Sequence, residues 1–199
     1  MKEKYDKNTY ARRIELLAKW IPDKPAVIYG DRILTYKQLN ERANQLANAL
    51  YSVGLKKGDH LAIVSYNRSE FIETYFACYK SGIVAVPMNY RYMDDELQYV
   101  IDYSDSKCVV YDESNQEKIM RIRDQLPKVK NYICIKEEAS ESPPGILEYE
   151  TLLNRYPKDA PPVEISDGDR CVMQFTGGTT GAPKGVLWNQ EANTKRLDS

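Results

Sequence analysis

Four short apolar runs alternate with stretches of helical spacing through the middle of this chain, and that order constrains the fold more than any other feature. Leu61-Ala62-Ile63-Val64, Ile83-Val84-Ala85-Val86-Pro87, Cys108-Val109-Val110-Tyr111 and Tyr132-Ile133-Cys134-Ile135 read as buried strands. Residues 69–80, 93–103 and 116–125 read as helices between them, the second with Asp94, Asp95 and Glu96 in a first turn where the helix dipole favours acid. Three to four βα units in succession predict an α/β fold with a parallel sheet covered on both faces.

Ahead of these units, Ile14, Leu16, Leu17 and Trp20 predict a helix behind an Asn8 or Thr9 cap, ended by Pro22 and Pro25. Residues 26–29 and 32–35 predict a hairpin turning at Gly30-Asp31. Thr35 is placed to cap a helix that runs to about Ser52 and stops at Gly54. Downstream, residues 136–144 read as a surface loop, 149–156 as a short helix, and Pro157-Lys158-Asp159-Ala160-Pro161-Pro162 as a linker. Asp167-Gly168-Asp169 then turns the chain into a strand over 171–175.

That strand delivers the chemically informative segment. Residues 176–185 hold four glycines, three threonines and one lysine. Glycine brings backbone N–H groups close to a ligand with no Cβ in the way, threonine hydroxyls donate to phosphate oxygens, and Lys184 adds a mobile point charge. A Walker A loop needs glycine before the lysine and Ser or Thr after it, whereas Pro183 precedes Lys184 and Gly185 follows. With Val186-Leu187-Trp188 reading as a returning strand, the pattern predicts strand, loop, strand. From pattern alone, a ligand-free Gly/Thr hairpin turn stays open beside a polyphosphate site.

The string Thr-Gly-Gly-Thr-Thr-Gly-Ala-Pro-Lys-Gly over 176–185 resembles the phosphate loop of the adenylate-forming superfamily, which includes acyl-CoA synthetases. The commonest family form has Ser where this chain has Gly177, which removes one hydroxyl donor. Residues 22–27, 34–44, 54–59 and 85–89 also resemble the start of an AMP-forming acyl-CoA synthetase. The resemblance implies that Thr176, Gly177, Gly178, Thr179, Thr180, Gly181 and Lys184 contact nucleotide phosphates, with the Thr176 hydroxyl near Mg²⁺. It further implies ATP and coenzyme A as co-substrates and a carboxylic acid as acyl donor.

Only fourteen residues follow Gly185. The resemblance therefore implies the truncated N-terminal part of a longer enzyme, with the catalytic residues expected beyond Ser199 and the C-terminal part as missing partner. Residues 1–162 are expected to form an N-terminal α/β subdomain and 163–199 the start of the next, carrying the loop. The isolated chain is expected not to turn over. A non-catalytic nucleotide-binding or interaction protein from a truncated gene is the alternative.

Composition narrows the partners. Lys+Arg 28 against Asp+Glu 29 gives a net charge of −1, which does not favour nucleic acid. No apolar run is long enough to span a bilayer and no signal-type segment follows Met1, so a cytoplasmic protein is expected. Cys78, Cys108, Cys134 and Cys171 lie in apolar contexts without metal-ligand spacing, and read as buried free thiols. His60, the single histidine, and most of the sixteen tyrosines read as structural.

Overall fold

A computed structural model describes residues 4–137, 142–176 and 183–195. Helix α1 (Tyr10–Trp20) begins where the Thr9 side chain accepts from the Arg12 N–H. Strands β1 (Pro25–Tyr29) and β2 (Arg32–Thr35) form an antiparallel two-stranded hairpin, and its turn places Gly30 at φ 56°. Thr35 then opens α2 (Tyr36–Ser52) with a reciprocal capping box to Gln38.

The alternating units follow as β3 (His60–Val64), α3 (Ser69–Ser81), β4 (Val84–Pro87), α4 (Asp94–Tyr103), β5 (Ser106–Asp112), α5 (Gln116–Ile122) and β6 (Asn131–Ile135). After these come β7 (Ile146–Glu148), α6 (Tyr149–Leu153), β8 (Arg170–Thr176), β9 (Lys184–Asn189) and α7 (Gln190–Lys195). Seven strands make one sheet in the order β7-β6-β5-β3-β4-β8-β9. Every neighbouring pair is parallel except β8–β9, which is antiparallel.

Strand side chains alternate between two cores. Leu61, Ile63, Cys108 and Val110 face one, with Leu46 of α2, Ala77 of α3 and Leu152 of α6. Ala62, Val64, Val109 and Tyr111 face the other, with Leu97 and Val100 of α4 and Ile119 of α5. The period of two along each strand thus yields the three-layer arrangement, and the α/β fold expected from sequence is present.

Some elements differ from expectation. The helix over 116–125 is α-helical only to Ile122 and tightens to a 3-10 turn at Arg123–Gln125, while α6 stops at Leu153. Strand β7 was not anticipated: three residues entered through Gly145 at φ 77° carry no readable period. Helix α7 was also not anticipated, because its polar sequence has no apolar stripe; Asn189 Oδ1 accepts from Ala192 N at 2.7 Å, and Gln190 and Thr194 are fully buried. Residues 138–141 of the expected loop lie outside the described residues.

The segment read as a linker is pinned to α2, where Asn48 Nδ2 donates to Pro157 O and Asp159 O and Asn44 Nδ2 to Lys158 O. Beneath it, Arg42 grips the fully buried Glu73 through Nε at 2.8 Å and Nη2 at 2.9 Å. Tyr149 OH donates to the same carboxylate at 3.0 Å, and Arg32 Nη2 reaches it at 3.4 Å. The four cysteines are buried and free, as their apolar contexts suggested. His60 Nδ1 donates to Ser104 O at 2.5 Å at the amino end of β3, a structural contact.

Candidate functional site

The phosphate chemistry expected from sequence falls between β8 and β9, and the two strands expected on either side of it are present and antiparallel. Phe175 pairs with Gly185 and Thr176 with Lys184, so the described residues that flank 177–182 are held side by side. Thr176 and Lys184 are exposed. Among the described residues Thr176 Oγ1 makes one long contact, 3.4 Å to Lys184 O, and no carboxylate pairs with the Lys184 ammonium. Gly177, Gly178, Thr179, Thr180 and Gly181 lie outside the described residues.

Gly185 has a steric reason as well. A Cβ there would stand 3.0 Å from Met173 Sδ and 3.4 Å from Phe175 Cζ, so the bare backbone lets these side chains cross the hairpin. Met173 and Phe175 pack on the second core, and the Phe175 ring meets Tyr103 edge-on with centroids 5.9 Å apart. The apolar side of β8 is thereby anchored while Thr176 stays in solvent.

Because β8 runs parallel to β4, Thr176 lies on the same side of the sheet as the carboxyl ends of β3, β4 and β5. That side is where open α/β sheets bind ligands. Sequence reasoning missed the polar rim there. Asp112 Oδ2 accepts from Tyr66 N at 2.6 Å and Asp112 Oδ1 from Arg68 Nη1 at 3.1 Å. Burial lifts the Asp112 carboxyl above its usual range, against the pull of those donors. The Tyr66 and Tyr90 rings contact each other at 4.4 Å, and the Arg91 guanidinium sits 5.4 Å from the Tyr90 centroid. Lys118 Nζ holds the Tyr90 and Tyr92 carbonyls at 3.1 and 2.7 Å. Each of these residues follows closely on the end of an apolar run or binds one that does, which is the signal that could have found them.

Among the described residues no helix is long and apolar enough to cross a membrane.

The chain matches the AMP-binding enzyme family over residues 17–197. It is 34% identical over 175 residues to a 3-oxocholest-4-en-26-oate--CoA ligase of Rhodococcus rhodochrous, a match covering 86% of this chain and 31% of that protein. It is 35% identical over 188 residues to the medium-chain acyl-CoA ligase Mig of Mycobacterium avium, covering 87% of this chain and 34% of that one. Its structure superposes on a Mycobacterium tuberculosis fatty acyl CoA synthetase with a TM-score of 0.81 at 28% identity, covering 92% of this chain and 35% of the other. The chain spans about a third of the length of these curated relatives. With the family match running over nearly the whole chain and a parallel sheet that ends in the Thr176–Lys184 hairpin, this protein belongs to the AMP-binding enzyme family.

Proposed function

We propose that this chain is the N-terminal part of an ATP-dependent acyl-CoA synthetase, and that its β8–β9 hairpin is the handle for the pyrophosphate leaving group. The observation that carries the reading is the register pair Thr176 and Lys184, both exposed, bracketing a Gly/Thr-rich segment on the carboxyl side of the sheet. In the first half-reaction a carboxylate oxygen attacks the α-phosphorus of ATP, forming acyl-adenylate and expelling pyrophosphate. In the second, the thiol of coenzyme A displaces AMP, loses its proton and becomes the thioester.

Negative charge builds on the β- and γ-phosphates in the first step, so fixed donors and a cation placed there lower its barrier. Lys184 supplies the cation, the Thr176 hydroxyl a donor beside the metal, and Gly177, Gly178, Thr179, Thr180 and Gly181 the remaining contacts. Mg²⁺, when bound, would neutralise part of the charge on the departing pyrophosphate; Thr176, exposed and with one weak contact, is a fitting neighbour for it. Residues 163–199 then begin a second subdomain whose catalytic groups lie in the remaining two thirds of the enzyme. The reading places the protein in the cytoplasm.

The 199-residue chain is accordingly expected to bind Mg·ATP without turning over. Trp188, in β9, is an intrinsic fluorescence reporter for that titration. Saturable quenching by Mg·ATP or tripolyphosphate, weakened by about tenfold or more in Lys184→Ala, supports the proposal. Identical titrations for both proteins, or AMP release by the isolated chain with acid, ATP and coenzyme A, overturn it.

A further inference from the structure

The backbone ladder that joins the hairpin to the sheet is short. One register pair, Ala85 with Val172, links β4 to β8, whereas β3–β4 has four such pairs and β5–β6 five. The reason is visible in β4. Val84 N and Met88 N donate to Asp59 O and Ile63 O on the β3 side, so residues 85 and 87 face β8, and Pro87 has no N–H to give. Beyond Val172, the register pairs of β8 are with β9.

Both legs of the hairpin are instead tied at their base to the first described residues of the chain. Before β8, Ile165 N donates to Lys4 O and Asp6 N to Ile165 O, each at 3.0 Å. Asp167 N donates to Asp6 Oδ2 at 3.1 Å, and the Asp167 carboxylate accepts from Asn8 N at 3.1 Å and Asn8 Nδ2 at 2.9 Å. After β9, Gln190 Oε1 accepts from Tyr10 N at 3.3 Å while its Nε2 donates to Tyr79 O at 3.3 Å. Thr194 Oγ1 donates to Asn8 O at 2.9 Å, and Tyr10 OH to Asn193 O at 3.1 Å. Glu191 N closes the base on Asp167 O at 3.0 Å. Asn8 thus touches both legs, and Gln190 is fully buried.

We propose that residues 4–10 are a clasp that sets the position of the β8–β9 hairpin, with Asp167 and Gln190 as positioning residues. For a polyphosphate site this rests on the function proposed above; the clasp itself does not. With one ladder pair to β4, the hairpin depends for its position on the packing of Met173 and Phe175 and on its base, and the clasp ties both legs of that base to one element. Gln190 has donor and acceptor committed to different helices, so its loss removes a bond to each of them from a buried position.

Amide hydrogen exchange of the whole chain tests this. Gln190→Ala and Asn8→Asp, the second setting a carboxylate against Asp167, are expected to speed exchange at 174–176 and 184–187 by about tenfold or more. Exchange in β3 and β5 stays at the wild-type rate. Adding Asp167→Asn to Asn8→Asp restores one carboxylate and one amide across the contact, and is expected to return the hairpin to within about twofold of wild type. Unchanged hairpin exchange in the single variants, equal acceleration in β3 and β5, or no restoration in the double variant overturns the clasp. Variants that show the expected exchange pattern, together with wild-type protein that ignores tripolyphosphate, overturn the proposed function alone.

Discussion

The Lys80 ammonium lies 2.9 Å from a Glu15 carboxylate oxygen at a site where Lys80 has no exposed side-chain surface. Asn40 Oδ1 accepts from it at 2.7 Å, and the Tyr5 ring stands 5.4 Å away. Burial, only partly offset by Glu15, lowers the Lys80 pKa to about 8, with Lys4 adding a smaller push in the same direction. An unfolded lysine titrates near 10.4. Between those values the unfolded chain holds a proton that the native chain has released, so the Lys80 contribution to stability rises with pH, by at most about 3 kcal/mol. The gap in urea midpoint between wild type and Lys80→Met is expected to shift in favour of wild type from pH 8 to 10. A gap independent of pH would contradict the assignment.

The four thiols work in the opposite direction and outnumber it. Burial pushes Cys78 and Cys108 far up, Cys134 to about 11 and Cys171 to about 12. Unfolded thiols titrate near 8.5, so above that pH the unfolded chain has released protons the native chain keeps, and stability falls. Under reducing conditions the wild-type urea midpoint is expected to drop steadily from pH 8.5 to 10.5. Cys108→Ala is expected to flatten the slope, since one of the four buried thiols that lower stability there is gone; an unchanged slope would count against burial as its source.

These groups show how far sequence carries. The apolar runs at 61–64 and 108–111 are legible because each side of a buried strand needs the same side-chain type, and that requirement leaves a pattern. Thr35 and Gln38 are legible because a cap is a local bond. Gln190 is not, for its partners Tyr10 and Tyr79 lie more than a hundred residues away and its own helix has no stripe. At the candidate site Thr176 and Lys184 were readable as residue types, and their pairing followed from the strand, loop, strand order. The Tyr66, Tyr90 and Asp112 rim was not, because it depends on the order of strands within the sheet.

Arg42 and Glu73 give a sharper test of the core. Glu73 is fully buried and takes two bonds from Arg42, which also donates to Glu150 Oε2 at 3.0 Å. Arg42→Met leaves that buried carboxylate to Tyr149 OH at 3.0 Å and Arg32 Nη2 at 3.4 Å, and removing one partner of a buried pair costs about 3–5 kcal/mol. Denaturant unfolding should show that loss in full. A cost below about 1 kcal/mol would mean that the pair is solvated as a surface pair is.

Strand β9 ends the sheet, and among the described residues only β8 pairs with it. Its far side has no strand partner among the described residues, and an uncovered strand edge is the template on which edge-to-edge association starts. The usual protections are sparse: Pro183 stands just outside the strand, Lys184 is the single charge within it, and Val186 is 42% exposed. A net charge of −1 adds little repulsion between copies. Wild-type protein is expected to self-associate as its concentration rises, and Val186→Lys, which puts a second charge on the edge, to raise the concentration at which light scattering begins by about threefold or more. Lys184 remains in place in that variant, so Mg·ATP binding should be retained. Scattering curves that coincide for the two proteins would show that association, if present, uses another surface.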